Sequence, residues 1–359
     1  VAKSGSIATL AAGFYTYLTA FVPALGAPVV VTPFHIGPGG TRLEVHYGQL
    51  VAIGIILILA AVNYVGVRAG GNVQVFVTAV KLILIAGIVA LGIFSHAGNV
   101  SHFAQHVPAI GGVAGFFAAI VGALWAYDGW NNVSMVSSEI RDPQRNLPRA
   151  LIFGTLAVIG TYLLINIAYF LVMSPTQVAH TDQLAADMMA IIFGPWASKL
   201  VAIAVMISIL AALNGSILSG ARVPYAMAKD GFFFRPIGNV HPRFKTPGNS
   251  MIALCLWSCV LILSGWFEQL YNFVIFGSWI LYLLATASVF VLRRKHPEMP
   301  RPYRVIGYPF VPALFVVVAG ILLVSTLIHS PRESIMGLVL MAAGIPTYFY
   351  CKRRLHSAS

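Results

Sequence analysis

The stretch Leu124–Ile140, LWAYDGWNNVSMVSSEI, sets an acid, a glycine and two amides side by side between Tyr127 and Asn132, inside an otherwise apolar run. Asp and Asn compete with a helix for local backbone groups, and glycine lowers helix propensity by about 1 kcal/mol relative to alanine. If this run crosses a bilayer, irregular backbone there is tolerated only where protein or a water-filled cavity satisfies its polar groups. One reading is therefore a helix broken near the midplane. It offers free carbonyls from its first half and free amides from its second, a substrate-binding device recurrent in secondary transporters. The other reading is an unbroken helix whose polar stripe packs against its neighbours. The chemistry in either case is recognition of charge and hydrogen-bonding groups.

A second anomaly is Lys81, in NVQVFVTAVKLILIAGIVALG. It lies nine residues from the nearer end of its apolar run, roughly 12 Å deep at 1.5 Å per residue. A central lysine costs on the order of 3 kcal/mol to insert, so it needs carbonyls, hydroxyls or a carboxylate around it. Three roles are open: a fixed cation where other transporters bind Na⁺, a titrating group that couples transport to protons, or a structural ammonium. Asn63 and Asn272 suit bridges between helices. In LNGSILSGAR, Asn214, Ser216 and Ser219 sit among small residues, a pattern equally expected of tight helix packing.

These residues need elements to position them, and composition says which kind. Of 359 residues, 58% are hydrophobic and 9% charged, and the mean hydropathy is +0.85. Soluble domains carry about 25% charged residues. Ten apolar runs approach the roughly 20 residues a transmembrane helix requires. They fall at 5–31, 48–67, 73–95, 113–140, 149–174, 194–228, 249–265, 268–292, 308–328 and 334–351. The expectation is an all-α polytopic membrane protein in a single domain.

The net charge of +12 suggests polyanion binding until the cations are placed. Assigning alternate loops to one side collects eighteen Lys and Arg there, Lys3 among them, against three (Arg42, Lys199 and Arg332) opposite; Lys81 lies within a span. Cytoplasmic loops are enriched in such residues, so both termini are expected in the cytoplasm. Topology and anionic lipid account for the charge without nucleic acid. Cys255, Cys259 and Cys351 form no C-x-x-C pair, and His96, His102 and His106 share a loop with no carboxylate or thiol, so neither a metal nor a cofactor is expected. Asn99-Val-Ser is a glycosylation sequon on the outer side, meaningful only in a eukaryotic secretory pathway. No HExxH, GxSxG or paired intramembrane His suggests an enzyme, and no repeated filter-like sequence suggests a channel.

The block AYDGWNNVSMVSSEIRDPQRNLPRA resembles the sixth helix and following loop of L-type amino acid transporters in the amino acid–polyamine–organocation (APC) superfamily. Further stretches follow in family order: AVNYVGVRAGGNVQ with TAVKLI, LNGSILSGARVPYAMAKDG, HPEMPRPYRVIGYPFVPALF and GIPTYFY. The likeness runs over essentially the whole chain. It implies an APC-type inverted-repeat helical bundle, with the ten spans as family helices three to twelve. Residues 1–95 would then be the rest of a first repeat, 113–292 the second, and 308–351 two added helices. On this reading, and with Val rather than Met first, the chain is expected to lack the two initial helices, including one whose Gly-rich break holds the substrate carboxylate.

The resemblance also implies roles. Carbonyls of Trp125, Ala126 and Tyr127 would meet the substrate ammonium. Trp125 would close over the substrate, while Asp128, Gly129, Trp130, Asn131, Asn132 and Ser278 would shape the pocket. Lys81 would occupy the sodium position of sodium-independent members, with Ser208 as its hydroxyl partner. Asp128 stands where animal members commonly carry a smaller residue. The loop TPFHIGPGGTRLEVHY lacks the cysteine that links animal members to a single-span glycoprotein, so no disulfide-linked heavy-chain partner is expected, and a bacterial inner membrane is. The implied activity is sodium-independent exchange of neutral amino acids, with proton symport through Lys81 as the alternative.

Overall fold

The computed structural model describes residues 2–35, 42–105, 112–181, 183–263, 267–301, 303–329, 331–342 and 344–356. The first helix, α1 (Ala2–Thr19), stops where Pro23 and Pro28 interrupt the chain, and the segment beyond enters an antiparallel hairpin, β1 (Pro28–His35) with β2 (Arg42–His46). The expected span 5–31 is corrected here. Val29, Val30 and Val31 extend its apolar run, but proline withdraws backbone donors from a helix and β-branched residues suit a strand. Among the described residues, an otherwise helical fold thus carries one two-stranded hairpin.

Helices α2 (Tyr47–Val65) and α3 (Val67–Ile93) follow the hairpin directly. The start of α2 is fixed by the Gln49 side chain, which accepts from the His46 backbone amide at 2.6 Å and donates to the Ile262 carbonyl at 2.8 Å. After α4 (Gly112–Ala126) come a four-residue helix α5 (Asn132–Met135) and a 3₁₀ turn, Ser137–Glu139. Then α6 (Pro143–Val172) opens with proline in its first turn, where the missing N–H costs nothing. The connector expected at 175–193 instead holds α7 (Pro175–Ala179) and α8 (Leu184–Phe193). Helices α9 (Trp196–Gly220) and α10 (Arg222–Lys229) are joined through Ala221, which keeps helical angles. The remainder is α11 (Gly248–Leu263), α12 (Phe267–Lys295), α13 (Phe310–His329), α14 (Pro331–Ala342) and α15 (Gly344–His356).

Among the described residues, seven helices are long and apolar enough to cross a membrane. The other three expected spans correspond to α1, to α4 with the segment after it, and to the sixteen-residue α11. Helix α1 is the hub. Its Ile7, Ala8, Ala11 and Ala12 pack with Ile56 of α2, Leu213 and Ile217 of α9, and Met251 and Cys255 of α11. A second cluster joins Ala168 and Val172 of α6 to Met188 of α8 and Val201 of α9. Close approach has local requirements: a methyl group on Gly48 would lie 2.5 Å from the Tyr15 ring.

The outer surface is apolar. Phe76 and Ile83 on α3 and Phe153 on α6 are each about 70% exposed (69%, 71% and 68%). Side chains of this kind belong against lipid, where burial in the protein is not needed to remove them from water.

Candidate functional site

The helical ladder of α4 ends when the Tyr127 amide donates to Ala123 at 3.2 Å. The next five residues are turns, and Gly129 holds φ at +95°, a conformation that side chains with a β-carbon rarely adopt. The break expected from composition is therefore present. Its second half differs from the expectation of a helix reaching residue 140, because only α5 and the 3₁₀ turn follow. The last turn of α4 has no further helical turn to receive its carbonyls, and aligned peptide dipoles leave that end partially negative.

The tyrosines Tyr162 and Tyr282 pin the break from opposite sides. Tyr162 of α6 donates its hydroxyl to the Ala126 carbonyl at 2.6 Å, and its ring meets Tyr127 edge-on at 4.9 Å. Tyr282 of α12 donates to Asp128 Oδ1 at 3.1 Å and reaches Asn131 Oδ1 at 3.4 Å, with the Ser278 hydroxyl within hydrogen-bonding reach of its own. Trp130 lies edge-on to Tyr282 at 5.8 Å and is half exposed.

Beside the break is a cavity of about 630 Å³ between α1, α3, α9 and the broken segment. Of the expected site residues it gathers Ala126, Asp128, Gly129, Asn132, Lys81 and Ser208. Tyr127, Trp130, Asn131 and Ser278 are not among its lining residues: Tyr127 meets Tyr162 of α6, Trp130 and Asn131 meet Tyr282 of α12, and Ser278 belongs to α12 itself. The side chain of Trp125 lies outside the described residues, as does that of Asn272; the Trp125 backbone is the penultimate residue of α4.

Lys81 and Ser208 line the same cavity, but no hydrogen bond joins them, and among the described residues the Lys81 ammonium has no hydrogen-bond or ion-pair partner. The cation that does engage the break is Lys3, whose ammonium donates to Asn132 Oδ1 at 2.7 Å. Counting Lys3 as a loop cation is thus overturned: it belongs to α1 and faces the cavity. Arg222, also counted with the loops, is buried and paired with Glu139 at 3.0 Å.

Behind the cavity, an amide network links three helices. Asn63 of α2 donates to Asn214 Oδ1 at 2.8 Å, while Asn214 donates to Gln74 Oε1 of α3 at 2.9 Å and to the Gly70 carbonyl at 3.3 Å. Gln74 continues to the cavity wall. Asn63 therefore bridges helices as expected, and Asn214 shares that role; neither Gln74 nor the two tyrosines carried a sequence signal of their own.

The conformation of Gly129 gives a direct test of the break. Alanine there must either tolerate a left-handed backbone, at roughly 1–2 kcal/mol, or shift the turn, and its methyl would meet the Asn132 amide nitrogen at 3.2 Å. We expect Gly129→Ala to fold, with ligand affinity reduced about tenfold in an equilibrium binding assay. Unchanged affinity would show that the turn geometry is not part of the site.

Nothing in this arrangement resembles a nucleophile with a base, and among the described residues no group of three His, Cys, Asp or Glu side chains is placed to hold a metal ion. The sequence matches the amino acid permease family over residues 4–347. It is 31% identical to the serine/threonine exchanger SteT of Bacillus subtilis, across 99% of this chain and 85% of that protein. It is 33% identical to the b(0,+)-type amino acid transporter 1 of Oryctolagus cuniculus across 77% of the chain and 56% of the relative. For the large neutral amino acids transporter small subunit 2 of Mus musculus the identity is 31%, across 84% and 57%. The chain thus spans little more than half the length of these two mammalian relatives. All three are named as transporters or exchangers of amino acids, not as enzymes. On this similarity and its long apolar helices, the chain belongs to the amino acid permease family as an integral, multi-pass membrane protein.

Proposed function

We propose that the chain carries amino acids across the membrane without sodium, by exchanging neutral L-amino acids at the broken helix. The observation that carries this reading is the end of α4 at Ala126, open to a cavity of about 630 Å³ that also holds Lys81 and Ser208. Small-molecule sites run from about 300 to 1,000 Å³. The carbonyl end of α4 suits an ammonium group, with Ala126 already sharing its oxygen with Tyr162. Lys81 supplies a fixed positive charge, which removes the need for a bound sodium ion. The similarity to an exchanger named for serine and threonine supports the neutral class. The distribution of Lys and Arg supports cytoplasmic termini, and the likeness to a bacterial relative supports a bacterial inner membrane without a heavy chain.

A second reading, proton-coupled uptake, is favoured by the position of Lys81, which lines the cavity with no hydrogen-bond or ion-pair partner among the described residues. Proteoliposomes separate the two. Exchange predicts labelled serine uptake only into vesicles preloaded with serine, unaffected by replacing Na⁺ with K⁺. Symport predicts uptake into empty vesicles, driven by an inward proton gradient. Arginine keeps its charge at all working pH values, so Lys81→Arg is expected to spare exchange and abolish proton-driven uptake. Absence of serine flux under every one of these conditions would sink both readings.

A further inference from the structure

Among the described residues, three ionisable side chains line the cavity, and their sum is not neutral. Lys3 and Lys81 bring two ammonium groups and Asp128 the one carboxylate. The Asp128 carboxylate is already engaged by the Tyr282 hydroxyl, and Lys3, which lines the same cavity, acts on it electrostatically. Lys3 is held in place through Asn132, which takes one of its three N–H groups and leaves two for other acceptors. Lys81 is opposed by no partner among the described residues.

An α-amino acid brings one ammonium and one carboxylate of its own, which cancel. Its side-chain charge therefore decides how the whole molecule fares in this field. With Asp128 alone, the site would favour a cationic side chain. With Lys3 and Lys81 present, the cavity carries a formal excess of one positive charge. A lysine- or arginine-like substrate would then place another cation among two, in a space where water screens poorly. A substrate with a second carboxylate meets the opposite situation. Building repulsion against the wrong class is an efficient route to specificity.

We propose that Lys3 sets the charge selectivity of this site: by offsetting Asp128 it admits neutral and anionic amino acids and excludes cationic ones. This rests on the amino acid transport reading above. Neither the break nor Lys81 would give this selectivity alone, because a single lysine would only balance Asp128.

The test is competition for bound labelled serine, using the full chain in lipid nanodiscs, with glutamate and arginine as competitors. Against the wild-type chain, arginine is expected to compete at least about tenfold more weakly than glutamate, ~1.4 kcal/mol. Lys3→Gln, which can still donate to Asn132, is expected to shrink that ratio by about tenfold or reverse it, while serine still binds. Lys3→Arg should preserve the ratio. Should Lys3→Gln not fold, Asp128→Asn serves in its place and should widen the ratio. A wild-type chain that binds arginine as well as glutamate overturns the proposal, as does a ratio unmoved by Lys3→Gln or Asp128→Asn. Serine binding with an unmoved ratio defeats charge selectivity alone. Failure of the wild-type chain to bind any of the three defeats the transport reading, and the proposal with it.

Discussion

Replacing Asn214 with leucine is expected to destabilise the bundle more than any change at the cavity wall. Asn214 is 1% exposed and makes three hydrogen bonds, one accepted from Asn63 and two donated to Gly70 and Gln74. Each interhelical bond of this kind in a membrane protein averages about 0.6 kcal/mol. Leucine also leaves one N–H of the buried Asn63 amide without its acceptor, the amide keeping only its bond to the Leu59 carbonyl, and takes the donor from Gln74 Oε1 at the cavity wall, at about 1 kcal/mol or more in all. The crowding is severe, since a methyl on Gly70 would stand 2.1 Å from Asn63 Oδ1, and the branched side chain has no room to shift. We expect a loss of roughly 3 kcal/mol. In detergent, the midpoint of thermal unfolding should fall by about 5 °C or more. Ser208→Ala is the control, because Ser208 lies on the same helix, lines the cavity and makes no hydrogen bond among the described residues. Equal midpoints for the two variants would mean that the network does not hold α2, α3 and α9 together.

This network was half legible. Asn63 stood out as a polar group inside an apolar run, and a bridge between helices was the natural reading. Its partner was ambiguous, because Asn214 lies among Gly215, Ser216 and Ser219, and small residues describe close packing whether or not an amide pairs across it. The break was legible for a sharper reason: Asp128, Gly129, Asn131 and Asn132 each disfavour helix by a local mechanism, so no tertiary information was needed. The spans were legible wherever an apolar run was the whole story. They failed at Val29–Val31, where a continuous apolar run fits a strand as well as a helix.

Lys3 was misread because a cation beside polar residues near the first residue reads as a loop cation. Only the packing of α1 against α9 shows that this end lies at the cavity. Tyr162 and Tyr282 act through hydroxyls reaching 36 and 154 residues away in sequence, and no local pattern announces such contacts.

Removing Glu139 is the second large effect expected, and it joins stability to function. Arg222 is almost fully buried, its Nε and Nη2 held by the two Glu139 oxygens at 3.0 and 3.3 Å and its Nη1 by the Leu218 carbonyl. Arg222 begins α10, beside Ala221, whose carbonyl accepts from Ser250 of α11 at 2.6 Å. Glu139 ends the 3₁₀ turn that follows the break. The pair therefore anchors the segment carrying Asn132, Val133 and Val136, all on the cavity wall, to the α9–α10 junction. Deleting one partner of a fully buried pair costs about 3–5 kcal/mol, because a charge is left without compensation. Glu139 is 38% exposed, so water softens the loss, and about 2–3 kcal/mol is expected for Glu139→Ala. Serine affinity should fall with it, since the untethered segment no longer presents Asn132 to Lys3. The double variant Glu139→Ala with Arg222→Met removes the stranded charge. It is expected to recover most of the stability and little of the affinity, a separation that simple destabilisation would not produce. Full recovery of both would reduce the pair to a structural role. A Glu139→Ala protein with wild-type midpoint and wild-type affinity would remove it from the site altogether.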